Sequence, residues 1–253
     1  VVEEPVVEEP VVEEPVVEEP VVPEERIYLN KFVPISDLSD DYTLSSSGLG
    51  LYIDQEDLGI SYINVEEFIK ALEGAVIPLN VEKTDTLKIS YTYEYDEEEA
   101  IEYGMESFTY EMTINAEENT IYFNDVDFLD ILDEDTETDY SQGLEVVYSE
   151  LSDTVFSKLF DLDNYSMNIE LFEGNYYMPL YLANFFLTGF SVDIYELDTE
   201  VILVDYYTYD NDRFYDELEN RESAPLELVS DDTYNYLALY FDTMYGLKDF
   251  MEI

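Results

Sequence analysis

The alternation of apolar and polar residues divides this chain into short strands interrupted by a few amphipathic helices. In residues 87–95 apolar side chains recur at every second position, the period of a half-buried strand. In residues 65–72 they recur every third or fourth position, as on one face of an α-helix. The strand positions are Leu87, Ile89, Tyr91, Tyr93 and Tyr95, and the helix positions are Val65, Phe68, Ile69 and Leu72.

Capping signals predict where the helix at 65–72 begins and ends. Asn64 followed by Glu67 matches a capping box, in which each side chain accepts a hydrogen bond from the other residue's backbone N–H. Gly74 can adopt the left-handed conformation that often follows the last turn of a helix.

Two further helices are predicted, at residues 180–188 and 231–245. Ser230 is a suitable N-cap for the second of these, and Gly246 a suitable C-cap. The apolar stripe of this last helix consists of Tyr234, Leu237, Phe241, Met244 and Tyr245.

The remaining apolar runs are short and bounded by turn-forming residues, which predicts further strands. Residues 115–119 are a good hairpin loop, and residues 173–174 a tight turn. Strands are predicted at residues 27–30, 32–35, 51–53, 62–63, 108–114, 120–123, 167–172, 176–178, 191–195 and 201–206. The expected fold class is α+β, with antiparallel β-sheets and about three main helices.

A degenerate internal repeat organises these elements. Residues 59–74 align without a gap with residues 174–189, with glycine at both ends and a shared tyrosine and leucine. The shared order of glycine, strand, helix and glycine predicts two related strand–strand–helix units. The identical pairs are Gly59/Gly174, Tyr62/Tyr177, Leu72/Leu187 and Gly74/Gly189, and the apolar pairs are Ile63/Met178 and Val65/Leu180.

The two repeat helices differ in how much of their surface is apolar. Ile69 corresponds to Asn184, whereas Lys70 and Ala71 correspond to Phe185 and Phe186. The second helix is therefore apolar nearly all round and needs cover on more than one side. We expect the first helix on a solvated edge and the second at the centre, under the helix at 231–245.

Residues 1–25 differ in character from the rest of the chain. They contain four copies of Val-Val-Glu-Glu-Pro, and a proline at every fifth position is incompatible with a helix or a central strand. An extended spacer of roughly 70 Å is expected, at about 3.1 Å per residue. It is either a stalk that holds a domain away from a surface or a tolerated low-complexity tract.

Composition excludes several classes of function. The chain has 253 residues and a net charge of −54, from 63 acidic and nine basic residues. Such a polyanion is repelled by nucleic acid and by anionic lipid, and no run reaches the roughly 18 apolar residues of a membrane span. We therefore expect no nucleic-acid partner and no membrane insertion. The acidity is also compatible with a halophilic adaptation that has no bearing on function.

The residue types needed for common catalytic sites are missing. The chain contains no Cys and no His, which excludes disulfides, cysteine nucleophiles, histidine bases and most zinc or haem ligation. It also contains no Ser-x-x-Lys, Gly-x-Ser-x-Gly or Gly-Lys-Ser/Thr motif. No catalytic residue and no cofactor are predicted, and a pair of carboxylates for glycoside hydrolysis cannot be nominated among so many acids.

Two weaker signals for binding remain. Alternating acids in residues 133–139 resemble the start of a calcium loop, although the loop glycine and the closing glutamate are missing, so a solvated acidic loop is the alternative. The tyrosines of the strands could stack on sugar rings, or could be ordinary half-buried β-sheet residues. The calcium-ligand candidates are Asp133, Asp135, Glu137 and Asp139.

Three segments carry recognisable motifs. Residues 59–72 contain Tyr-Ile-Asn-Val-Glu-Glu-Phe, residues 174–186 contain Tyr-Tyr-Met-Pro-Leu, and residues 234–249 contain Asn-Tyr-Leu-Ala-Leu-Tyr-Phe-Asp-Thr-Met-Tyr-Gly-Leu-Lys. In this order they resemble a Tyr-Ile/Val-Ser-Val-x-x-Phe unit, a Tyr-Tyr-Ile-Pro-Leu segment and an Asn-Tyr-Leu-x-x-x-x-Asp-x-x-Tyr-Gly-Leu-Lys helix. These occur in the N-terminal regions of certain secreted Firmicute peptidases of the C-terminal processing (tail-specific) serine peptidase family, where the helix precedes the catalytic domain. The resemblance covers roughly residues 26–253 and leaves the acidic repeat outside.

The resemblance implies a non-catalytic region of an exported, Gram-positive bacterial protein, secreted or attached to the cell surface. The family's Ser-Lys pair belongs to a downstream domain, and no residue of this chain matches it. The expected function is to space or regulate that peptidase domain; the alternative is a cell-surface module that binds wall polysaccharide, protein or Ca²⁺. The expected divisions are a spacer at 1–25, units at 26–140 and 141–230, and a helix at 231–253 that leads toward the catalytic domain.

Overall fold

A computed structural model provides the structure of this chain. It describes residues 26–38, 42–54, 59–95, 100–101, 104–131, 157–188, 192–205, 216 and 226–244. The predicted spacer at 1–25 lies outside the described residues.

Twelve strands lie within the described residues, several of them close to the predicted positions. The first seven strands are β1 (Ile27–Asp37), β2 (Gly48–Asp54), β3 (Ser61–Asn64), β4 (Asn80–Lys83), β5 (Leu87–Glu94), β6 (Ser107–Asn115) and β7 (Thr120–Phe123). The last five are β8 (Lys158–Asp161), β9 (Glu170–Phe172), β10 (Asn175–Pro179), β11 (Val192–Glu196) and β12 (Val201–Asp205).

Three main helices and one short helix accompany these strands in the described residues. The main helices are α1 (Val65–Ala71), α3 (Leu180–Leu187) and α4 (Leu226–Met244); the single turn α2 covers Phe128–Ile131, and a 3-10 helix covers Leu162–Tyr165. Together with the strands, these helices confirm the predicted α+β class.

The strands form two sheets that share one core. The larger sheet has the order β11-β12-β1-β2-β3-β10-β9, and the smaller has the order β4-β5-β6-β7-β8. The pairing of β1 with β12 is parallel, and every other described pairing is antiparallel. Strand β12 pairs with β1 only after the chain has formed the smaller sheet and strands β9 to β11, which provides the long connection that a parallel pair requires.

The two predicted repeat units are present and meet at the centre of the larger sheet. The first is β2-β3-α1 and the second is β9-β10-α3. Strands β3 and β10 pair antiparallel, with Ile63 opposite Met178. On either side of this pair, Tyr62 lies opposite Pro179 and Tyr177 lies opposite Asn64. Since Ile63 and Met178 are equivalent in the repeat, a local two-fold axis passes between them.

The core lies where the two sheets meet the repeat helices. One cluster of buried side chains draws on both sheets, on α1 and α3, and on Leu239 of α4. The ring of Phe186 lies 5.5 Å, centroid to centroid, from both Phe123 of β7 and Phe160 of β8. Helix α3 therefore joins the larger sheet to the smaller one.

The capping of α1 is confirmed for Asn64, whose side-chain oxygen accepts hydrogen bonds from the N–H groups of Glu66 and Glu67 at 3.0 and 3.2 Å. The carboxylate of Glu67 accepts a hydrogen bond from Tyr52 instead, at 3.4 Å. Gly74 has φ +100°, and a Cβ there would lie 2.2 Å from the carbonyl oxygen of Thr43. Glycine is therefore required at this position for both its conformation and its lack of a side chain.

Several predicted boundaries were wrong. The strands predicted at 27–30 and 32–35 form one strand, β1, which has a bulge where its register with β2 shifts. The strand predicted at 167–172 is shorter because a 3-10 helix and a left-handed Ser166 (φ 51°) precede it. Helix α4 begins at Leu226, so Ser230 lies inside it and is not its N-cap; Gly246 lies outside the described residues.

Candidate functional site

The predicted calcium ligands Asp133, Asp135, Glu137 and Asp139 lie outside the described residues. Among the residues that are described, no group of three or more acidic side chains is placed to hold a metal ion. None of the described helices is both long and apolar enough to cross a membrane.

The strongest candidate for a binding site is a row of aromatic side chains on the β5–β6 hairpin. We call Tyr91, Tyr93, Tyr95, Phe108 and Tyr110 the aromatic surface. In the register of the two strands, Tyr91 lies opposite Tyr110 and Tyr93 lies opposite Phe108. All five side chains are half-buried.

This surface is a continuation of the core along the same face of the hairpin. Alternate residues of a strand share a face, so the tyrosines follow Leu87 and Ile89, and Phe108 and Tyr110 precede Met112. Leu87, Ile89 and Met112 are fully buried. Both strands run beyond the part of the sheet that is packed against the core, and there the same alternation presents partly exposed rings.

The rings of the aromatic surface are packed edge to face. The ring centroids of Tyr93 and Tyr95 are 5.3 Å apart at an interplanar angle of 73°, and those of Phe108 and Tyr110 are 4.6 Å apart at 72°. Edge-to-face pairs bring the positive edge of one ring to the negative face of the next, which stabilises a fixed arrangement. The surface is therefore ordered before any ligand arrives.

Carboxylates lie near Tyr110 of the aromatic surface. Burial raises the pKa of Tyr110, and a hydrogen bond with Tyr95 and the nearby charges of Asp127 and Asp125 raise it further. The side chain of Asp127 is exposed. The exposed Glu106 lies beside Tyr95, whose backbone N–H donates to the Glu106 carbonyl at 3.0 Å.

The lysines of the neighbouring strands belong to other contacts. Lys88 lies on the opposite face of β5 and pairs with Glu111 at 3.0 Å, and Lys83 of β4 pairs with Glu66. Rings together with carboxylates can stack on flat apolar groups, attract organic cations and accept hydrogen bonds from hydroxyl or ammonium groups.

A second exposed apolar surface lies on helix α4. Three residues of the stripe predicted for this helix are exposed, namely Tyr234 (72%), Leu237 (45%) and Phe241 (53%). We call these three the α4 stripe. The side of α4 that packs on the core uses Leu239, which is fully buried, and Tyr236, whose ring centroid is 5.8 Å from that of Phe185. Helix α4 thus has two apolar sides, and the predicted stripe is the exposed one.

Sequence reasoning found the tyrosines of β5 but missed the rest of this site. Phe108 and Tyr110 show the same alternation as β5, so the signal for them was present in the sequence. Glu106 lies just before β6 and Asp127 just after β7. Their positions near the rings depend on how these strands pair, and no local pattern in the sequence specifies that pairing. Comparisons of this chain with protein-family models, with curated proteins and with solved structures find no match.

Proposed function

We propose that this chain is a non-catalytic accessory region that spaces, positions or regulates the catalytic domain of an exported bacterial serine peptidase. The observation that carries the proposal is the α4 stripe. A helix that packs one side on its own domain and exposes Tyr234, Leu237 and Phe241 on another is suited to contact a second domain. The similarity of residues 234–249 to the helix that precedes the peptidase domain supports the same direction.

Helix α4 contacts the rest of the fold through residues that neighbour the α4 stripe. The hydroxyl of Tyr165 donates to the carboxylate of Asp242 at 2.7 Å, and the ring of Tyr240 lies 6.0 Å from that of Phe185. Because these contacts fix the orientation of α4, a domain that directly follows α4 would be held in a defined orientation. In this proposal the helix acts as a rigid mount, and the catalytic Ser-Lys pair lies downstream of Ile253.

The coding sequence beyond Ile253 tests the proposal directly. We expect the reading frame to continue into a domain with a paired serine and lysine. A peptidase assay on the present chain should give no turnover, since it contains neither a His nor a Ser-x-x-Lys motif. A frame that ends or enters an unrelated domain would contradict the proposal, as would turnover that persists through repurification.

The longer protein offers a second test. Hydrogen exchange of residues 234–241 is expected to slow when the downstream domain is present, because that domain would cover the α4 stripe. Replacing the three stripe residues with serine should remove this protection and leave the exchange of β5 and β6 unchanged. Equal exchange in the short and long proteins would contradict a contact at the stripe.

The aromatic surface favours a second candidate function, a cell-surface module that binds wall polysaccharide, a protein or Ca²⁺. Titration calorimetry with wall glycans and with Ca²⁺ distinguishes it from a spacer, which should produce no saturable heat. A melting temperature that is the same in low and in molar salt would count against a purely halophilic explanation of the charge.

A further inference from the structure

We propose that the aromatic surface and the carboxylates around it form a binding site for a cationic polypeptide segment rich in lysine or arginine. This inference does not depend on a link to a peptidase. It assigns a class of ligand to one face of the β5–β6 hairpin.

The rings of the aromatic surface are suited to a cationic ligand. The faces of Tyr93, Tyr95 and Phe108 carry the negative part of the ring quadrupole, which attracts ammonium and guanidinium groups. The edge-to-face pairs orient neighbouring rings at steep angles to one another, 73° for Tyr93 and Tyr95. Such rings offer walls around a cationic head group together with apolar contact for the aliphatic stem of a lysine or arginine.

The charges near the aromatic surface are complementary to a cationic ligand. Asp125 and Asp127 lie near Tyr110, Asp127 is exposed, and the exposed Glu106 is joined to Tyr95 by a backbone hydrogen bond. Lys88 lies on the opposite face of the sheet and pairs with Glu111, whereas Lys83 lies opposite Leu87, at the buried end of this face, and pairs with Glu66. The chain as a whole carries a charge of −54, which attracts a cationic partner from a distance and repels an acidic one. The positive charge at this site must therefore come from the ligand.

Other classes of ligand fit this surface less well. A metal ion requires converging oxygen ligands, and no such group exists among the described residues. A neutral sugar would use the rings but would gain nothing from the surrounding carboxylates beyond hydrogen bonds. A cationic peptide uses both, so the two parts of the surface favour the same ligand.

Titration of the purified chain with a synthetic oligolysine and an oligoarginine peptide tests the site, with a neutral oligomer of N-acetylglucosamine as the competing ligand. The ring variant Tyr93→Leu/Phe108→Leu keeps the net charge and should weaken peptide binding by about tenfold. The matched control Tyr122→Leu alters an exposed ring on the other face of the same sheet and should leave binding unchanged.

A variant that removes carboxylates tests the same site independently if the ring variant does not fold. Glu106→Gln/Asp127→Asn should weaken peptide binding severalfold, whereas Glu117→Gln/Glu118→Gln should not. The control pair removes the same two charges from the exposed loop at the opposite end of β6. Equal binding by both pairs would show non-specific attraction to a polyanion and overturn the proposal. Binding of the neutral sugar at the rings in place of the peptides, or no binding of either peptide, would also overturn it.

Discussion

The two strand–strand–helix units have the same topology but opposite surroundings. In α1, Glu67 and Lys70 are exposed to solvent. In α3, Phe185 occupies the position equivalent to Lys70, and both Phe185 and the next residue, Phe186, are buried. Both units pair through equivalent residues, Ile63 and Met178, about a local two-fold axis. The units therefore differ both in their helix residues and in what covers them, because α4 and the smaller sheet pack on Phe185 and Phe186 of α3.

The two helices also begin differently. The N-terminus of α1 is capped by the side chain of Asn64, whereas Pro179 occupies the equivalent position before α3 and makes no side-chain hydrogen bond there. A proline is compatible with the start of a helix, because the first N–H groups have no partner within the helix. Helix α1, which has one solvent-exposed side, thus begins with a side-chain cap, whereas α3 begins without one.

Equivalent positions on the two helices should differ most in their response to truncation. Phe185→Ala removes a ring that contacts Phe186, Tyr236 and Tyr240, and should lower the free energy of unfolding by about 3–5 kcal/mol. Lys70→Ala, at the matching exposed position of α1, should change it by less than about 0.5 kcal/mol. Urea unfolding followed by circular dichroism measures both. Similar losses of unfolding free energy for the two variants would contradict the different burial of Phe185 and Lys70.

Asn184, the residue of α3 equivalent to Ile69 of α1, is expected to protect the edge of the larger sheet. Asn184 accepts the N–H of Ile194 at 2.8 Å and donates to Asp193 at 3.0 Å, both on the edge strand β11. Asn184→Leu should cost about 1–3 kcal/mol, because that N–H loses its partner, and should promote association through β11.

Unfolding together with light scattering tests this change at Asn184. The matched variant Ile69→Leu, at the equivalent position of α1, conserves volume and should cost less than about 1.5 kcal/mol without association. An Asn184→Leu protein that is as stable and as monomeric as the parent would show that the edge needs no such protection.

Removal of the cap of α1 should have a smaller effect. Asn64→Ala removes the acceptor for two N–H groups of α1 and should cost about 1 kcal/mol. Asn64→Ser restores an acceptor oxygen and should recover most of that loss. Thermal and urea unfolding measure the series. Equal stability of the alanine and serine variants would show that the cap hydrogen bonds do not contribute.

The smallest effect should appear only at alkaline pH. Burial against α3, followed by the nearby charge of Asp193, raises the pKa of Tyr236 to about 12 from an ordinary value of 10.0. The folded state then holds this proton more tightly than the unfolded state. The resulting stability is complete below pH 10 and is lost as the pH rises toward 12. Tyr236→Phe should flatten the decline in unfolding free energy over this interval, and an unchanged slope would contradict the raised pKa.

Local signals in the sequence accounted for most of the elements. The period of two predicted β5, the capping pattern predicted the start of α1 at Asn64, and residues 115–119 predicted the β6–β7 hairpin; all three are confirmed. Boundaries failed where tertiary contacts override local signals. Ser230 resembles an N-cap, yet α4 extends back to Leu226.

The candidate site was only partly predictable for a related reason. The tyrosines of β5 follow from alternation, but the carboxylates beside them are brought there by the return of the chain through β6 and β7. The exposed side of α4 was also not predictable, because this helix has apolar residues on two sides. Which side is buried depends on the position of Phe185 and Tyr181 on α3.

The sequence alone therefore determined the local periods, the caps and the existence of two related units, since each depends on residues close together in the chain. Only the tertiary structure decided the pairing of β3 with β10, the parallel contact of β1 with β12, and the central position of α3. The two strand pairings join residues more than a hundred positions apart, and the position of α3 depends on contacts with β7, β8 and α4, which lie outside its own unit. Their free energy comes from burying surfaces whose partners no local pattern specifies.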